Sequence, residues 1–400
     1  MKLRLFITIL ATMSLIAASA KSPSRLKPFG WATASSLSSG DSYNLTGGTG
    51  GRSVTLRSDG RDSRNRIAKA LTDYDIVILD GSNGDFTVSK TIELKSLRGK
   101  SIIGTNGACL RTAFTITPEI RHKLDSAKVR SASTTAKGHL QLPNGRYVSE
   151  AGEHAVRSVL LNHTDDERET YRNSGIFHIE WCENIIIRNL KLVGPGSLDV
   201  GGDDLMTITD CSSHIWVDHC DFIDGLDGNF DIKAHSDFIT VSWSTFSYSE
   251  KSYNHKNSNL VGSSDNPDHN GIGKLNITFA YCVWGQGCDQ RMPMVRFGTI
   301  HLLNNYYSCS GCSLAVNARK ESKVLLEGNY FGRGVKHVFA QRDASAYAFR
   351  GNAYAEAFTE PQPQGTINIP YKYNTLPASK VPALLTAPDG AGATLNDVGK

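Results

Sequence analysis

The chain has 400 residues, 43 Lys and Arg against 39 Asp and Glu, and a net charge of +4 with no polybasic block, so nucleic acid is not an expected partner. Its one long apolar run lies at the N-terminus, is short for a stable membrane span, and is followed by no second one. Length alone admits two or three domains, although repeat folds run this long as one.

In chain order, Lys2 and Arg4 form a short basic region, Leu5 to Ala18 is apolar, and Ala18-Ser19-Ala20 has the small residues of a cleavage site. Residues 1–20 therefore read as a signal peptide, and 21–400 as the mature domain, secreted or periplasmic. No Cys stands at the cleavage site, so no lipid or other membrane anchor is expected.

Ser63 to Leu71 reads as a short helix that would cap an open end of the fold. Ile76 to Leu79, Thr91 to Leu94 and Ser101 to Ile103 read as early strands, and 118–155 as a long polar loop. Then a β-branched strand ending in a polar and a large residue recurs. The large residues are Leu192, Phe222, Phe246, Trp284, Tyr307, Phe331 and Tyr354, spaced 30, 24, 38, 23, 24 and 23 residues apart. A period near 23 with insertions marks a solenoid with one coil per repeat. Because short strands dominate, the expected architecture is all-β: a right-handed parallel β-helix, one domain with its core at about 30–375 and a tail over 376–400. Asn305, Asn329 and Asn352 share one repeat position and should form an amide ladder. The longest interval holds Lys256, and solenoid insertions tend to gather on the binding face.

Eight cysteines (109, 182, 211, 220, 282, 288, 309 and 312) sit in a chain read as exported, where disulfides are permitted. Cys182, Cys211, Cys220 and Cys282 fall in apolar strands and read as buried thiols. Cys309-x-x-Cys312 could be a tight disulfide, a redox pair or half a metal site. No second pair has zinc spacing, so a structural role is expected.

Asp227 and Asp231, four residues apart, suggest a hard-oxygen pocket suited to Ca²⁺. Arg291 and Arg296, with Pro293 between them, present permanent positive charge to an anion. Taken singly, the acids could be turn residues and the arginines could pair with surface acids. Together they describe a site for an acidic polymer whose carboxylates bind both, and so a polyuronate-cleaving enzyme.

The ordered motifs strengthen that reading. They are Thr46-Gly47-Gly48-Thr49-Gly50-Gly51, Lys90-Thr91-Ile92 leading to Ile103-Gly104, and Trp216-Val217-Asp218-His219. Asp227-Gly228-x-x-Asp231-Ile232-Lys233, Ser236-Asp237-Phe238-Ile239-Thr240-Val241-Ser242-Trp243 and His255-Lys256 follow. Leu260-x-Gly262-Ser263-Ser264-Asp265 and Arg291-x-Pro293-x-x-Arg296-x-Gly298 complete the set. With these motifs the chain resembles the pectate lyases of polysaccharide lyase family 1 over most of residues 30–375. Ala234-His235 departs from the Arg-Gly frequent there.

The resemblance implies a calcium-dependent β-elimination on polygalacturonate or pectin, giving 4,5-unsaturated products, by an enzyme expected to be a monomer. It assigns Arg291 as the base and Arg296 and Lys256 as holders of uronate carboxylates. Asp204, Asp227 and Asp231 would be the calcium ligands. Asp204 is chosen over its rival Asp203 because Asp204-Leu205-Met206-Thr207-Ile208 keeps both apolar positions of the family's strand. Asp218 and His219 are expected to be structural. A hydrolase using Asp203-Asp204 as acid and base lacks the further motifs it would need. A metal-free pectin lyase leaves the Asp pair unexplained, and a non-catalytic adhesin leaves the arginines unexplained.

Overall fold

The computed structural model describes residues 27–116, 118, 174–198, 202–253, 255–343 and 345–396, and the backbone of 139–141 and 147–149. The expected signal peptide and most of the 118–155 stretch lie outside the described residues.

Three sheets of ten, nine and eight strands run along the described chain, and every pairing within them is parallel. Each coil contributes one strand to each sheet in turn. Phe177–Glu180 lies in the eight-stranded sheet, Glu183–Arg188 in the ten-stranded and Lys191–Val193 in the nine-stranded sheet. The next coil repeats the order as Met206–Thr209, Ser213–Asp218 and Asp221–Ile223. This is a right-handed parallel β-helix.

The reason lies in which residues face inward. Ile185, Ile215, Ile239, Ile277, Ile300 and Val324 pair successively in register, each fully buried. β-Branched side chains pack well on a pleated surface. The large residues of the repeat also stack in register, from Leu192 through Phe222 to Tyr354. Their rings lie with centroids 5.1, 5.5, 4.7, 4.4 and 5.3 Å apart from Phe222 to Tyr354. The amide ladder is present: Asn305 Nδ2 donates to Asn329 Oδ1 and Asn329 Nδ2 to Asn352 Oδ1, both at 3.0 Å.

The expected helix runs Arg64–Asp73, two residues beyond the expected Leu71, and buries Ile67, Ala70 and Leu71 against the first coils. The outer face of the ten-stranded sheet is covered by the two ends of the chain. From the N-terminal side, the amides of Trp31 and Ala32 donate to the hydroxyls of Thr278 and Thr240. From the C-terminal side, Gly392 N donates to the Trp243 carbonyl and Leu395 N to Asn189 Oδ1. Among the described residues, the outer face of the eight-stranded sheet carries side chains of its own strands and of the loops that enter it.

The cysteine expectation fails in two respects: all four cysteines lie between strands and not on them, and one is not buried. Cys182, Cys220 and Cys282 are buried, but Cys211 is exposed. It sits in the turn after Met206–Thr209 with φ +59°.

Candidate active site

The candidate residues come from four successive coils, at the point where each chain segment enters the eight-stranded sheet. Asp231 lies on Phe230–Ile232, and Arg296 ends Met294–Arg296 two strands away. Asp204 and Asp227 precede Met206–Thr209 and Phe230–Ile232, while Lys256 and Arg291 precede Leu260–Val261 and Met294–Arg296. The entering loops are stacked by backbone bonds. Asp227 N reaches the Asp203 carbonyl at 3.5 Å, Asp289 N the Lys256 carbonyl at 3.0 Å, and Asn259 N the Arg291 carbonyl at 2.7 Å. Residues distant in sequence are thus fixed one coil apart, near the ordinary strand spacing of about 4.8 Å.

On the strands the register is Thr207 beside Asp231. Strand neighbours Met206, Ile208, Phe230 and Ile232 are core residues, so period-two alternation turns Thr207 and Asp231 outward. Both remain nearly covered, at 5% and 7% exposure, because the entering loops overhang them. Asp204 is 5% exposed and accepts the Thr207 hydroxyl at 3.1 Å. Lys233 Nζ lies 3.4 Å from Asp204 Oδ2 and 3.6 Å from Asp231 Oδ2, serving both acids with one charge.

Burial and that shortage of positive charge together set the electrostatics. Burial, then the Asp204 charge beside it, push the Asp231 carboxyl up to about 8; Asp227 adds to the rise, while Lys233 and Arg291 oppose it. Burial alone would depress the Lys233 ammonium, but Asp204, Asp231 and Asp227 outweigh it and hold it above its ordinary value. Asp231 Oδ1 also accepts the Leu260 amide at 3.0 Å.

Asp227 stands at the rim, its side chain 36% exposed and its Oδ1 3.4 Å from His255 Nε2. Asp203 points elsewhere: its Oδ2 accepts the Thr91 hydroxyl at 2.9 Å. Of the two rivals, Asp204 is the one placed against Asp231. Gly228 completes the cradle, because a Cβ there would stand 2.6 Å from Asp204 Oδ1.

Arg291 is half-buried, with φ +58°, and its charge reaches the Asp231 carboxyl. Arg296 does pair with a surface acid: Nε donates to Asp265 Oδ1 at 2.7 Å and Nη1 to the Gly262 carbonyl at 3.0 Å. That pairing holds the guanidinium in place, and among the described residues Nη2 has no hydrogen-bond partner. Lys256 is half-buried one coil before Arg291. Two more cations belong to the same face. Lys233 closed one of the quoted motifs without a role, and only the structure shows it between two acids. Arg319 pairs with Arg296 across adjacent strands, and no motif pointed to it.

Asp218 and His219 are elsewhere, on the outer side of the ten-stranded sheet, fully buried. Asp218 accepts Arg188 Nε at 2.9 Å, His219 Nδ1 at 2.7 Å and the Ser242 hydroxyl at 2.6 Å. Among the described residues, one three-donor group has its donor atoms within 4.8 Å of one another: His178 and Glu180, on the coil before Asp204, and Asp210, at the far end of Asp204's own coil. Lys95 Nζ already meets the Glu180 carboxylate at 2.8 Å. The Asp204, Asp227 and Asp231 carboxylates are not gathered that closely.

The chemistry of the face is therefore a floor of acids with too little countercharge, bordered by arginines and lysines. A family profile described as pectate lyase matches residues 169–392, more than half the chain.

The chain belongs to the pectate lyase family.

Curated pectate lyases are similar to part of this chain. Probable pectate lyase B of Aspergillus terreus is 33% identical over 207 residues, covering 49% of this chain and 60% of that protein. Pectate lyase B of Colletotrichum gloeosporioides is 35% identical over 228 residues, covering 54% and 65%. The chain thus spans roughly three-fifths of the length of these relatives. Solved structures show the fold over nearly the whole chain. A pectate lyase from Bacillus sp. N165, in complex with trigalacturonate, has a TM-score of 0.56 at 19% identity, covering 92% of this chain and 99% of that one. The cedar pollen allergen jun a 1 has a TM-score of 0.58 at 17% identity, covering 89% and 92%.

Proposed function

We propose that this protein is a calcium-dependent pectate lyase that cleaves α-1,4-linked polygalacturonate by β-elimination, leaving 4,5-unsaturated ends. The observation that carries the reading is the buried Asp204–Asp231 pair, which shares one lysine and lies within reach of the Arg291 charge.

The donor set fits calcium: Asp204, Asp227 and Asp231 offer hard oxygens from two consecutive coils, and the Gly228 cradle leaves room beside Asp204. A bound Ca²⁺ would draw charge from a uronate carboxylate and so acidify the C5 hydrogen beside it. The residues of the chain do the rest. Arg296 and Lys256 hold uronate carboxylates and orient the chain, and their charge meets the negative charge that develops as C5 loses its proton. An Arg291 guanidine nitrogen takes the C5 proton. The C5 electron pair forms the C4–C5 double bond, the C4–O bond breaks, and the departing oxygen takes a proton from water. An arginine base operates against an ordinary pKa of about 12.5 or higher, so the guanidine is neutral only as the transfer occurs. The apolar leader at 1–20 fits an exported enzyme, because the polymer is too large to be met inside a cell.

The test is the product. Polygalacturonate treated with the enzyme is expected to give ultraviolet-absorbing unsaturated oligomers, with a rate that climbs toward alkaline pH as proton competition for the acids falls. New reducing ends without ultraviolet-absorbing product, at an acid optimum, would mean hydrolysis instead.

A further inference from the structure

Beyond the lyase reading, the cluster of sulfur atoms behind the Arg291 strand has no part in the chemistry proposed above. Cys309 and Cys312 follow the strand Tyr306–Tyr307 in a tight turn, where Cys312 N donates to the Cys309 carbonyl at 3.3 Å and Gly311 adopts φ +85°. Their Sγ atoms stand 3.1 Å apart, and Cys309 Sγ lies 3.6 Å from Met292 Sδ. All three side chains are buried, while Ser310 and Gly311 at the tip are exposed.

We propose that Cys309 and Cys312 are joined by a disulfide in the exported protein, as a staple behind the catalytic strand. Both side chains already face each other at a separation that a small approach of the two sulfurs would turn into a bond. In the chemistry, a dithiol-oxidising disulfide of the export compartment is attacked by one thiolate. The second thiolate displaces the mixed disulfide, so two protein thiols become one S–S bond and the oxidant leaves as two thiols. Since both sulfurs are buried once folding is complete, the exchange belongs to the folding stage. Cys288 is the remaining sulfur of this region, but its Sγ is directed to the Phe246 carbonyl at 3.2 Å.

What the staple holds is the turn on which Arg291 leans. Directly after Cys312, the amide of Ser313 donates to the Asp289 carbonyl at 3.0 Å, that of Leu314 to the same carbonyl at 3.2 Å, and Met292 N to the Ala315 carbonyl at 2.8 Å. Residues 313–315 therefore grip 289–292 from the next coil. Tethering 309 to 312 limits how far that grip can loosen, and keeps Met292 packed against the linked sulfurs.

The inference rests on the export reading and not on the lyase chemistry, so the test reads thiols. The full chain is expressed once with export to an oxidising compartment and once retained in a reducing cytosol. Each sample is unfolded in urea and alkylated without reductant. Eight alkylated cysteines are expected from the cytosolic form and six from the exported form, with the tryptic peptide 297–319 unalkylated and lighter by two hydrogens. The exported form should also melt a few degrees higher, a gap abolished in a Cys309→Ser, Cys312→Ser variant. Eight alkylated cysteines in the exported form would overturn the proposal, as would a link from either residue to a different cysteine. Equal melting of linked and unlinked protein would remove the tether. If no protein reaches the oxidising compartment, the export reading fails; oxidative refolding of the cytosolic chain with glutathione disulfide then decides the pairing by the same mass.

Discussion

Two faces of this β-helix bury aspartates, and they treat them oppositely. On the ten-stranded sheet, Asp218 is surrounded by Arg188, His219 and Ser242, which donate to it at 2.6–2.9 Å. The chain's own ends seal that face. On the eight-stranded sheet, Asp204 and Asp231 are almost as covered, but two acids share the single ammonium of Lys233, at 3.4 and 3.6 Å. A buried charge is tolerated where donors meet it in full, and is otherwise pushed toward its neutral form. The first arrangement is complete in itself and serves the fold. The second is incomplete and is ready for a further cation. Burial alone would not have told them apart; the count of countercharges does.

The contrast is broken most severely by changing Arg291, the base proposed above, beside the incomplete acids. Arg291→Lys keeps the charge but loses the planar fork. It is expected to lower kcat on polygalacturonate by about 10²–10⁴-fold, the usual weight of a positioned acid–base group. Calcium affinity and melting temperature should stay near wild type. Turnover close to wild type would remove Arg291 from the role of base.

Asp218→Asn strikes the other face. It removes the buried charge that Arg188 Nε meets at 2.9 Å, and the expected cost is about 3–5 kcal/mol of stability in a denaturant titration. Calcium affinity in the refolded protein should not change. A loss of calcium binding without a loss of stability would mean that the two faces have been assigned the wrong way round.

The pH dependence of the metal-free protein comes next. Asp231 binds its proton up to about 8 in the fold, against 3.8 for the ordinary carboxyl, chiefly through burial and the Asp204 charge. Between those values the folded state holds more protons than the unfolded one, so this group's contribution to stability falls as pH rises from about 4 to about 8. With chelator present, the melting temperature should decline over that window. Asp231→Asn should flatten the slope, and calcium should offset it. A slope that is unchanged in Asp231→Asn belongs to other groups.

The smallest effect is expected at Asp203, whose carboxylate accepts the Thr91 hydroxyl. Asp203→Asn should cost about 1 kcal/mol of stability or less and leave calcium affinity in place, whereas Asp204→Asn should weaken calcium binding. Isothermal titration of both variants separates them.

Much of this was legible in the sequence. The repeat of large residues from Leu192 to Tyr354 gave the coil and its register, because an in-register stack requires the same residue type at the same place in each turn. The Asn305–Asn329–Asn352 ladder followed for the same reason. Asp227, Asp231, Arg291 and Arg296 stood out through spacing and residue type. What the sequence could not yield was the matching of charges across coils. Lys233 falls on the same side as two acids only once 29 residues separate it from Asp204 in sequence and one coil in space. Arg319 carries no local signal at all, and meets Arg296 only through strand pairing. Cys211 was misread because a turn between two apolar strands has the same local composition as their ends.

Whether the incompletely countered acids are a calcium site serving elimination is decided by following unsaturated product from polygalacturonate with the metal removed and returned. Chelator is expected to abolish product formation. Ca²⁺ should restore it better than Mg²⁺, whose tighter octahedral shell suits these oxygens less. Full activity in excess chelator would contradict the account.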